Sequence, residues 1–179
     1  KARVYFILGQ LNEAGGNNPE AVRNYTRVLK SNAPFDMAFS ARLKRAFLGG
    51  SDKLTKELNK MLKDPKNAEF KDQIYYALAN IELKNGSEPQ AMNYLTASAF
   101  YSTTNNRQKG MAYEKMGDLR FAKRDYVPAQ KYYDSCARVI TDLYPNAEGI
   151  RNKATKLRDL VNAVETVQFE DSVQRIAAM

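Results

Sequence analysis

Apolar residues recur along most of the chain with the three-to-four-residue spacing of amphipathic helices. Near the N-terminus Tyr5, Leu8 and Leu11 follow this spacing, and Tyr75 and Leu78 repeat it in the middle of the chain. Residues at this spacing share one face of an α-helix, which can then pack against a neighbouring helix. The pattern therefore predicts an all-α protein of about ten short helices.

The pattern itself repeats along the chain at two fixed offsets, first of 70 residues and then of a further 38. Tyr5 recurs as Tyr75 and then again as Tyr113. The same two offsets relate two more sets of residues: Ala21, Ala91 and Ala129, and Tyr25, Leu95 and Tyr133. The first offset is twice the length of a helical repeat unit of about 35 residues. One more unit therefore fits between the first two of these copies, over residues 36–66.

Each clear copy predicts two helices joined by a short turn. Gly16 and Gly86 mark the turn in two of the copies. Pro19, Pro89 and Pro128 each lie one or two residues before the recurring alanine. Proline is favoured in the first turn of a helix, where its missing N–H would have no partner in any case. We therefore expect a second helix to begin at each proline, with a small alanine that lets two helices approach closely.

The remaining segments fit the same scheme less well. The copy over residues 36–66 is degenerate, with a turn predicted at Gly49-Gly50-Ser51 and a second helix lined by Leu54, Leu58, Met61 and Leu62. Over residues 146–179, one helical face is formed by Ile150, Ala154, Leu157, Val161 and Val164. That face suits a helix that caps the end of the array. We expect a second short helix to begin at Asp171. Because the sequence begins with Lys1 rather than Met, we expect it to be a fragment, and we expect this helix to continue beyond it.

Composition excludes most classes of enzyme. The 179 residues include no His and one Cys. The commonest general base, imidazole metal ligands and thiolate zinc clusters are therefore ruled out. No nucleotide-binding or calcium-binding motif is present. Cys136 is predicted to be a buried packing residue, and we expect no catalysis, cofactor or metal.

The positive charge is concentrated in the first third of the chain. Of the net charge of +8, residues 1–66 contribute +7, with 13 Lys and Arg against 6 Asp and Glu. A basic surface is predicted along one side of a helix by Lys53, Lys56, Lys60 and Lys63. This surface is either a solvated helix face or a docking surface for an acidic partner or nucleic acid. The absence of interleaved aromatic residues argues against nucleic acid.

The three clear copies resemble the tetratricopeptide repeat, a helix–turn–helix unit of about 34 residues. The matching positions are Tyr5, Leu8, Gly9, Gly16, Ala21, Tyr25 and Pro34; Tyr75, Leu78, Gly86, Ala91 and Leu95; and Tyr113, Met116, Gly117, Ala129, Tyr133 and Pro145. Ala79 stands where the family has Gly. The resemblance implies a right-handed tetratricopeptide-repeat solenoid, an α–α superhelix. Four helical pairs would occupy residues 1–145 and C-terminal capping helices residues 146–179.

The resemblance also implies a concave groove, lined by the first helix of each pair, that binds a partner. The residues at its contact positions are Arg3, Phe6, Gln10, Tyr76, Asn80, Glu114, Asp118 and Phe121. Phe6, Tyr76 and Phe121 are the expected hot spots, unless the degenerate unit or the capping helices cover them. Phe6 and Gln10 replace the Lys and Asn with which the family's chaperone-tail receptors clamp a carboxylate. We therefore expect apolar anchoring of a peptide or helix.

Several runs are similar to one narrower group, the tetratricopeptide lipoproteins of Gram-negative gliding and type IX protein secretion machinery, of the PorW/SprE type. They are KARVYFILGQL from Lys1, DQIYYALA from Asp72, STTNNRQK from Ser102, DYVPAQKYYD from Asp125 and DSVQRIAAM from Asp171. This resemblance implies a scaffold on the periplasmic face of the outer membrane, with secretion or gliding-motility components as partners. The membrane anchor would lie outside the fragment, and the oligomeric state stays open.

Two other functions remain as alternatives. Exposed Tyr and Phe side chains could stack on sugars, as in glycan-uptake lipoproteins, although the short loops here argue against that family. An RNA-binding helical array is the second alternative, because residues 1–66 are strongly basic. Strongly salt-dependent binding to single-stranded RNA would favour it.

Overall fold

The computed structural model of the protein describes residues 1–49 and 52–178. Within these ranges the regular structure is helical, which confirms the all-α prediction. It comprises nine α-helices and one 3₁₀ helix: α1 (Ala2–Ala14), α2 (Asn18–Leu29), α3 (Phe35–Gly49), α4 (Asp52–Lys63), a 3₁₀ helix (Pro65–Phe70), α5 (Lys71–Lys84), α6 (Glu88–Tyr101), α7 (Asn106–Ala122), α8 (Tyr126–Val139) and α9 (Ala147–Ala177).

The predicted helix starts are confirmed at all three prolines. Pro19 and Pro89 are the second residues of α2 and α6, and Pro128 is the third residue of α8. The side chain of Asn17 also caps α2, because its amide oxygen accepts a hydrogen bond from the Glu20 backbone N–H at 3.3 Å. Each second helix thus begins where proline costs no backbone hydrogen bond.

The turns between paired helices share one backbone conformation. Gly16 and Gly86 have positive φ angles of 75° and 78°. Arg124 lies at the equivalent position of the fourth copy, and its φ is 60°. A left-handed residue at this place lets the chain reverse directly after a helix. Glycine adopts it freely, whereas arginine carries the steric cost of its Cβ.

The chain divides into two compact units, Lys1–Ser98 and Ala99–Met179. In unit 1, α1 packs on α2, α2 on α3, and α3 on both α4 and α5. One core, around Tyr25 and Val28, is shared by α1, α2 and α3. A second core, around Phe39, Leu58 and Leu78, lies between α3, α4 and α5.

The degenerate copy folds as the helices α3 and α4. Leu58 and Met61 are buried in the second core of unit 1, and Leu54 and Leu62 pack against that core. The prediction that these four residues line the second helix is therefore confirmed. The turn predicted at Gly49-Gly50-Ser51 falls on Gly50 and Ser51, which lie outside the described residues.

In unit 2, α7 packs on α8, and α8 packs on α9. The core is built around Tyr133, Cys136 and Ile150, with Ala129 completely buried. Cys136 donates its thiol to the Gly110 carbonyl, with an Sγ–O distance of 3.3 Å. The apolar face that begins at Ile150 thus packs on α8 and contributes to the core of unit 2.

The C-terminal segment is one helix and not the two that the sequence suggests. Helix α9 runs unbroken over 31 residues, Ala147–Ala177, so the expectation of a separate helix from Asp171 is wrong. Its first half is buried through Ile150, Ala154, Leu157 and Val161. Val164, the last predicted member of that face, is 44% exposed. Beyond it the helix is exposed to solvent along its whole length.

Candidate functional site

The predicted contact residues of unit 1 lie on two helices, and we call them the unit 1 face. Arg3, Phe6 and Gln10 are on α1, whereas Tyr76 and Asn80 are on α5. Helix α1 contacts α3, and α3 contacts α5. The first helices of the three pairs in this unit, α1, α3 and α5, therefore lie side by side in that order. Side chains from all three can thus contribute to one face.

The side chains of the unit 1 face differ in how much of their surface is exposed and so available to a partner. Arg3 and Gln10 are exposed. Phe6 is half-buried, with its ring edge-on to Tyr25 at a centroid distance of 5.7 Å. Asn80 is 9% exposed and donates its Nδ2 to the carbonyl of Tyr76 at 2.8 Å. Asn80 thus helps to fix the helix, while Phe6, Arg3 and Gln10 carry more of the accessible surface.

The predicted contact residues of unit 2, which we call the unit 2 face, all lie on α7. Glu114 accepts a hydrogen bond from the Tyr144 hydroxyl at 2.7 Å. Phe121 is 39% exposed, and its ring packs edge-on against Tyr126 at 5.7 Å. Asp118 is exposed. This face therefore combines an accessible aromatic ring with two carboxylates.

A lysine from α9 joins the unit 2 face. Lys153 donates to the Tyr133 hydroxyl at 2.5 Å and lies 3.5 Å from the Asp118 carboxylate. The Tyr133 hydroxyl itself donates to Asp118 at 2.5 Å. The Lys153 ammonium also lies 4.3 Å from the ring centroid of Phe121, within cation–π range. Burial and the hydrogen bond to Asp118 together raise the pKa of Tyr133, so its hydroxyl stays protonated as a donor.

Unit 1 holds a similar group that the sequence pattern does not single out. The Tyr25 hydroxyl donates to Glu13 at 2.6 Å, and Lys44 of α3 donates to the same carboxylate oxygen at 2.8 Å. Burial alone would raise the pKa of Glu13. The hydrogen bonds from Lys44 and Tyr25 outweigh it and hold that pKa below its usual range. Burial and Glu13 raise the pKa of Tyr25.

The predicted basic surface lies on α4. Lys56, Lys60 and Lys63 are exposed there, while the side chain of Lys53 lies outside the described residues. Lys60 and Lys63 border an open cleft of about 610 Å³, which has Asn67 in its wall. Nothing in the sequence pattern indicates this cleft, because residues of three separate elements come together to form it only when the chain folds.

The sole cysteine does not have the environment of a nucleophile. Cys136 is completely buried, and its burial raises the pKa of the thiol to about 12. A thiol with so high a pKa stays protonated near neutral pH and reacts poorly. The prediction of a buried packing residue is confirmed.

Residues 1–49 and 52–178 contain neither a metal-binding cluster nor a membrane span. Three Cys, Asp or Glu side chains nowhere converge closely enough there to hold a metal ion. None of the helices in that part of the chain combines the length and the apolar character needed to cross a membrane.

No protein-family model matches the chain, and no curated protein is significantly similar to it.

Proposed function

We propose that the chain is a non-catalytic scaffold of the tetratricopeptide type, which binds protein partners through the first helices of its helical pairs. The observation that carries the proposal is the repeated packing of a glycine against a tyrosine. A Cβ placed on Gly9 would lie 2.6 Å from the Tyr25 ring, and one on Gly117 would lie 3.1 Å from the Tyr133 ring. The two glycines have the same separation along the chain as the two tyrosines. Equivalent positions thus make equivalent contacts.

The proposed mechanism uses the two faces described above. On the unit 1 face a partner would place apolar side chains on Phe6 and Tyr76. On the unit 2 face, taken by itself, Phe121 would be the apolar anchor. Arg3 and Gln10 beside Phe6 can hydrogen-bond to the partner, and Asp118 and Glu114 give the unit 2 face acceptors. Aromatic anchors surrounded by polar groups are the usual composition of an interface hot spot.

We further propose that the scaffold belongs to the type IX secretion or gliding machinery, on the periplasmic face of the outer membrane. The sequence runs that resemble those lipoproteins support this narrower proposal. Its partners would then be envelope components, and membrane attachment would come from a part of the protein outside residues 1–179.

An affinity pull-down from detergent-solubilised envelope extract of the source organism tests both levels of the proposal. The baits are the wild-type chain, a Phe6→Ala/Tyr76→Ala/Phe121→Ala variant and a matched control. The control is Phe100→Ala/Leu143→Ala/Phe169→Ala, which removes apolar side chains that are 75%, 94% and 70% exposed. Circular dichroism and melting temperature establish that all three baits are folded.

Each result of the pull-down bears on a different part of the proposal. Secretion or gliding components recovered by the wild type and the control, but lost by the variant, would support the scaffold, its faces and the narrower assignment. Recovery that survives the triple substitution would remove the two faces from the mechanism. Recovery of other proteins alone would overturn the assignment to the secretion machinery, and recovery of none would overturn the scaffold proposal.

A further inference from the structure

The cleft beside the basic surface has the composition of a second binding site. It lies between α3, α4 and the 3₁₀ helix, has a volume of about 610 Å³, and shares no residue with the unit 1 face. Its lining includes the apolar Phe35, Met61 and Pro65 together with the cationic Lys60 and Lys63. A site with an apolar part next to a few charged groups favours a ligand that has both characters.

The charged side chains that line the cleft sum to a net charge of +1, with Arg42, Lys60 and Lys63 against Glu57 and Asp64. Glu57 is already paired, because it forms an ion pair with Arg45 and lies 3.9 Å from Arg42. Asp64 caps the 3₁₀ helix by accepting a hydrogen bond from the Lys66 backbone N–H at 3.0 Å. Lys60 and Lys63 form no ion pair within the described part of the chain, and both are exposed. Their ammonium groups can therefore each take a carboxylate from a partner.

Asn67 contributes to the cleft wall a buried amide oxygen that lacks a hydrogen-bond partner in the described part of the chain. Its side chain is almost completely buried in the cleft wall, at 3% exposure, and its Nδ2 donates to the Met61 carbonyl at 2.9 Å. Its Oδ1 has no hydrogen-bond partner among the described residues. A buried acceptor without a donor is destabilising. The oxygen itself is buried, so a donor from a partner can reach it only if the cleft wall rearranges.

The exposed ring of Phe35 in the cleft lining can receive a side chain. Phe35 is 45% exposed, although its ring also lies 5.9 Å from that of Phe70 and 6.4 Å from that of Phe39. The ring is thus held in place by its neighbours while one side remains open. A ring fixed in this way loses little conformational entropy when a partner side chain packs on it.

From these observations we propose that the cleft binds an acidic peptide segment of a partner protein. Two carboxylates would pair with Lys60 and Lys63, and an apolar side chain would pack on Phe35. A peptide can supply both the carboxylates and the apolar side chain that this lining favours. The inference goes beyond the proposed function, because it adds a second site with its own chemistry.

A selection from a displayed library of random octapeptides tests the proposal with the whole chain as target. We expect the selected peptides to be enriched in Asp and Glu close to a Leu, Phe or Met. The best peptide is then synthesised and titrated into wild type and into a Lys60→Glu/Lys63→Glu variant. We expect the charge reversal to weaken binding about tenfold or more, because it replaces two attractions with two repulsions.

The matched control is Lys131→Glu/Lys156→Glu, which changes the net charge equally at two exposed lysines of unit 2. It should leave the affinity within about twofold of wild type. The Asn67 side-chain amide signals should shift in NMR spectra of the complex. The proposal is overturned by selected peptides without acidic enrichment, by equal losses in both double variants, or by a single-stranded RNA that competes for the same lysines more tightly than the peptide. Loss of the partner from the Phe6/Tyr76/Phe121 variant leaves this test unaffected, so the two proposals can fail separately.

Discussion

Two regions of the molecule each pack a buried tyrosine against a glycine and pair its hydroxyl with a carboxylate and a lysine. In α1–α3, Tyr25 packs on Gly9, and its hydroxyl meets a carboxylate and a lysine. In α7–α9, Tyr133 packs on Gly117, and its hydroxyl likewise meets a carboxylate and a lysine. In both regions the lysine comes from the following helix, as Lys44 of α3 or Lys153 of α9.

The two regions differ in where the carboxylate stands. Glu13 lies one helical turn after Gly9, whereas Asp118 directly follows Gly117. The lysine differs as well. Lys44 bonds directly to Glu13 at 2.8 Å, whereas Lys153 donates to the tyrosine hydroxyl and lies 3.5 Å from Asp118. A buried phenol requires an acceptor, but any carboxylate on the correct helix face can supply it. The hydrogen bond from the tyrosine hydroxyl to a carboxylate therefore recurs in both regions, whereas the position of that carboxylate in the repeat does not.

The largest difference between the regions should follow from adding a methyl group to each glycine. A Cβ at position 9 would lie 2.6–2.9 Å from three atoms of the Tyr25 ring, so Gly9→Ala forces that buried ring to move. We expect a loss of about 1–3 kcal/mol in the free energy of unfolding, measured by urea denaturation. At Gly117 the three nearest distances are 3.1–3.2 Å, and alanine's better helix propensity offsets the smaller strain. Gly117→Ala should therefore be nearly neutral. Equal losses in both variants would contradict the comparison.

Removing the tyrosine hydroxyl in each region tests how much each hydrogen-bond arrangement contributes to stability. Tyr25→Phe leaves the Lys44–Glu13 ion pair in place, and we expect a loss of about 1 kcal/mol. Tyr133→Phe also takes away the acceptor of Lys153, so its loss should be larger, about 1–3 kcal/mol. Urea denaturation of the two single variants measures this. A larger loss for Tyr25→Phe would mean that the direct lysine–carboxylate bond does not compensate for the hydroxyl.

The turns offer a stabilising substitution. Arg124 has a φ of 60° at the position where Gly16 and Gly86 have φ angles of 75° and 78°. Arg124→Gly should stabilise the chain by about 0.5–1 kcal/mol, because it removes the steric cost of a left-handed arginine. Melting temperature is the measurement, and Arg107→Gly on α7 is the control, which should lower it. A fall in the melting temperature of the Arg124 variant would show that its side chain contributes more than its backbone costs.

The smallest effect concerns the pH dependence of unit 1. The pKa of Glu13 is lowered in the folded chain, so its ionised form is bound more tightly there than in the unfolded chain. This contribution to stability is present above the ordinary pKa of 4.5 and is lost as the pH falls through the lower folded value. Glu13→Gln should therefore flatten the fall in melting temperature below about pH 4.5. Glu165→Gln, at an exposed position of α9, should leave that fall unchanged. A steeper fall in the Glu13 variant would contradict the assigned sign.

Much of the fold could be read from the sequence, because the strongest constraints on it are local. Ala21 and Tyr25 are completely buried at the phases that the repeat predicts. Pro128 and Gly86 mark boundaries because proline fixes its own φ angle, whereas glycine adopts a positive φ angle without steric cost. Such residues act through their immediate neighbours, so their spacing alone is informative.

Other features depend on tertiary structure or on a misleading pattern. The apolar positions of α9 move from Leu157 and Val164 to Phe169 and Val173. That change shifts the apolar face by about 140° around the helix, at about 100° per residue, and makes one helix resemble two. The contacts of Lys153 and the cleft at Asn67 could not be predicted, because each joins residues that are brought together only by helix packing.

Site-specific photo-crosslinking in the source organism shows whether a partner lies on the unit 1 face and on the unit 2 face. A photoreactive phenylalanine analogue is placed at Gln10 and at Phe121, and at Phe100 as the exposed control. Mass spectrometry then identifies the crosslinked protein. We predict crosslinks to the same partner from positions 10 and 121 and none from position 100. Crosslinks from position 100 alone would contradict the account and place the interface elsewhere on the molecule.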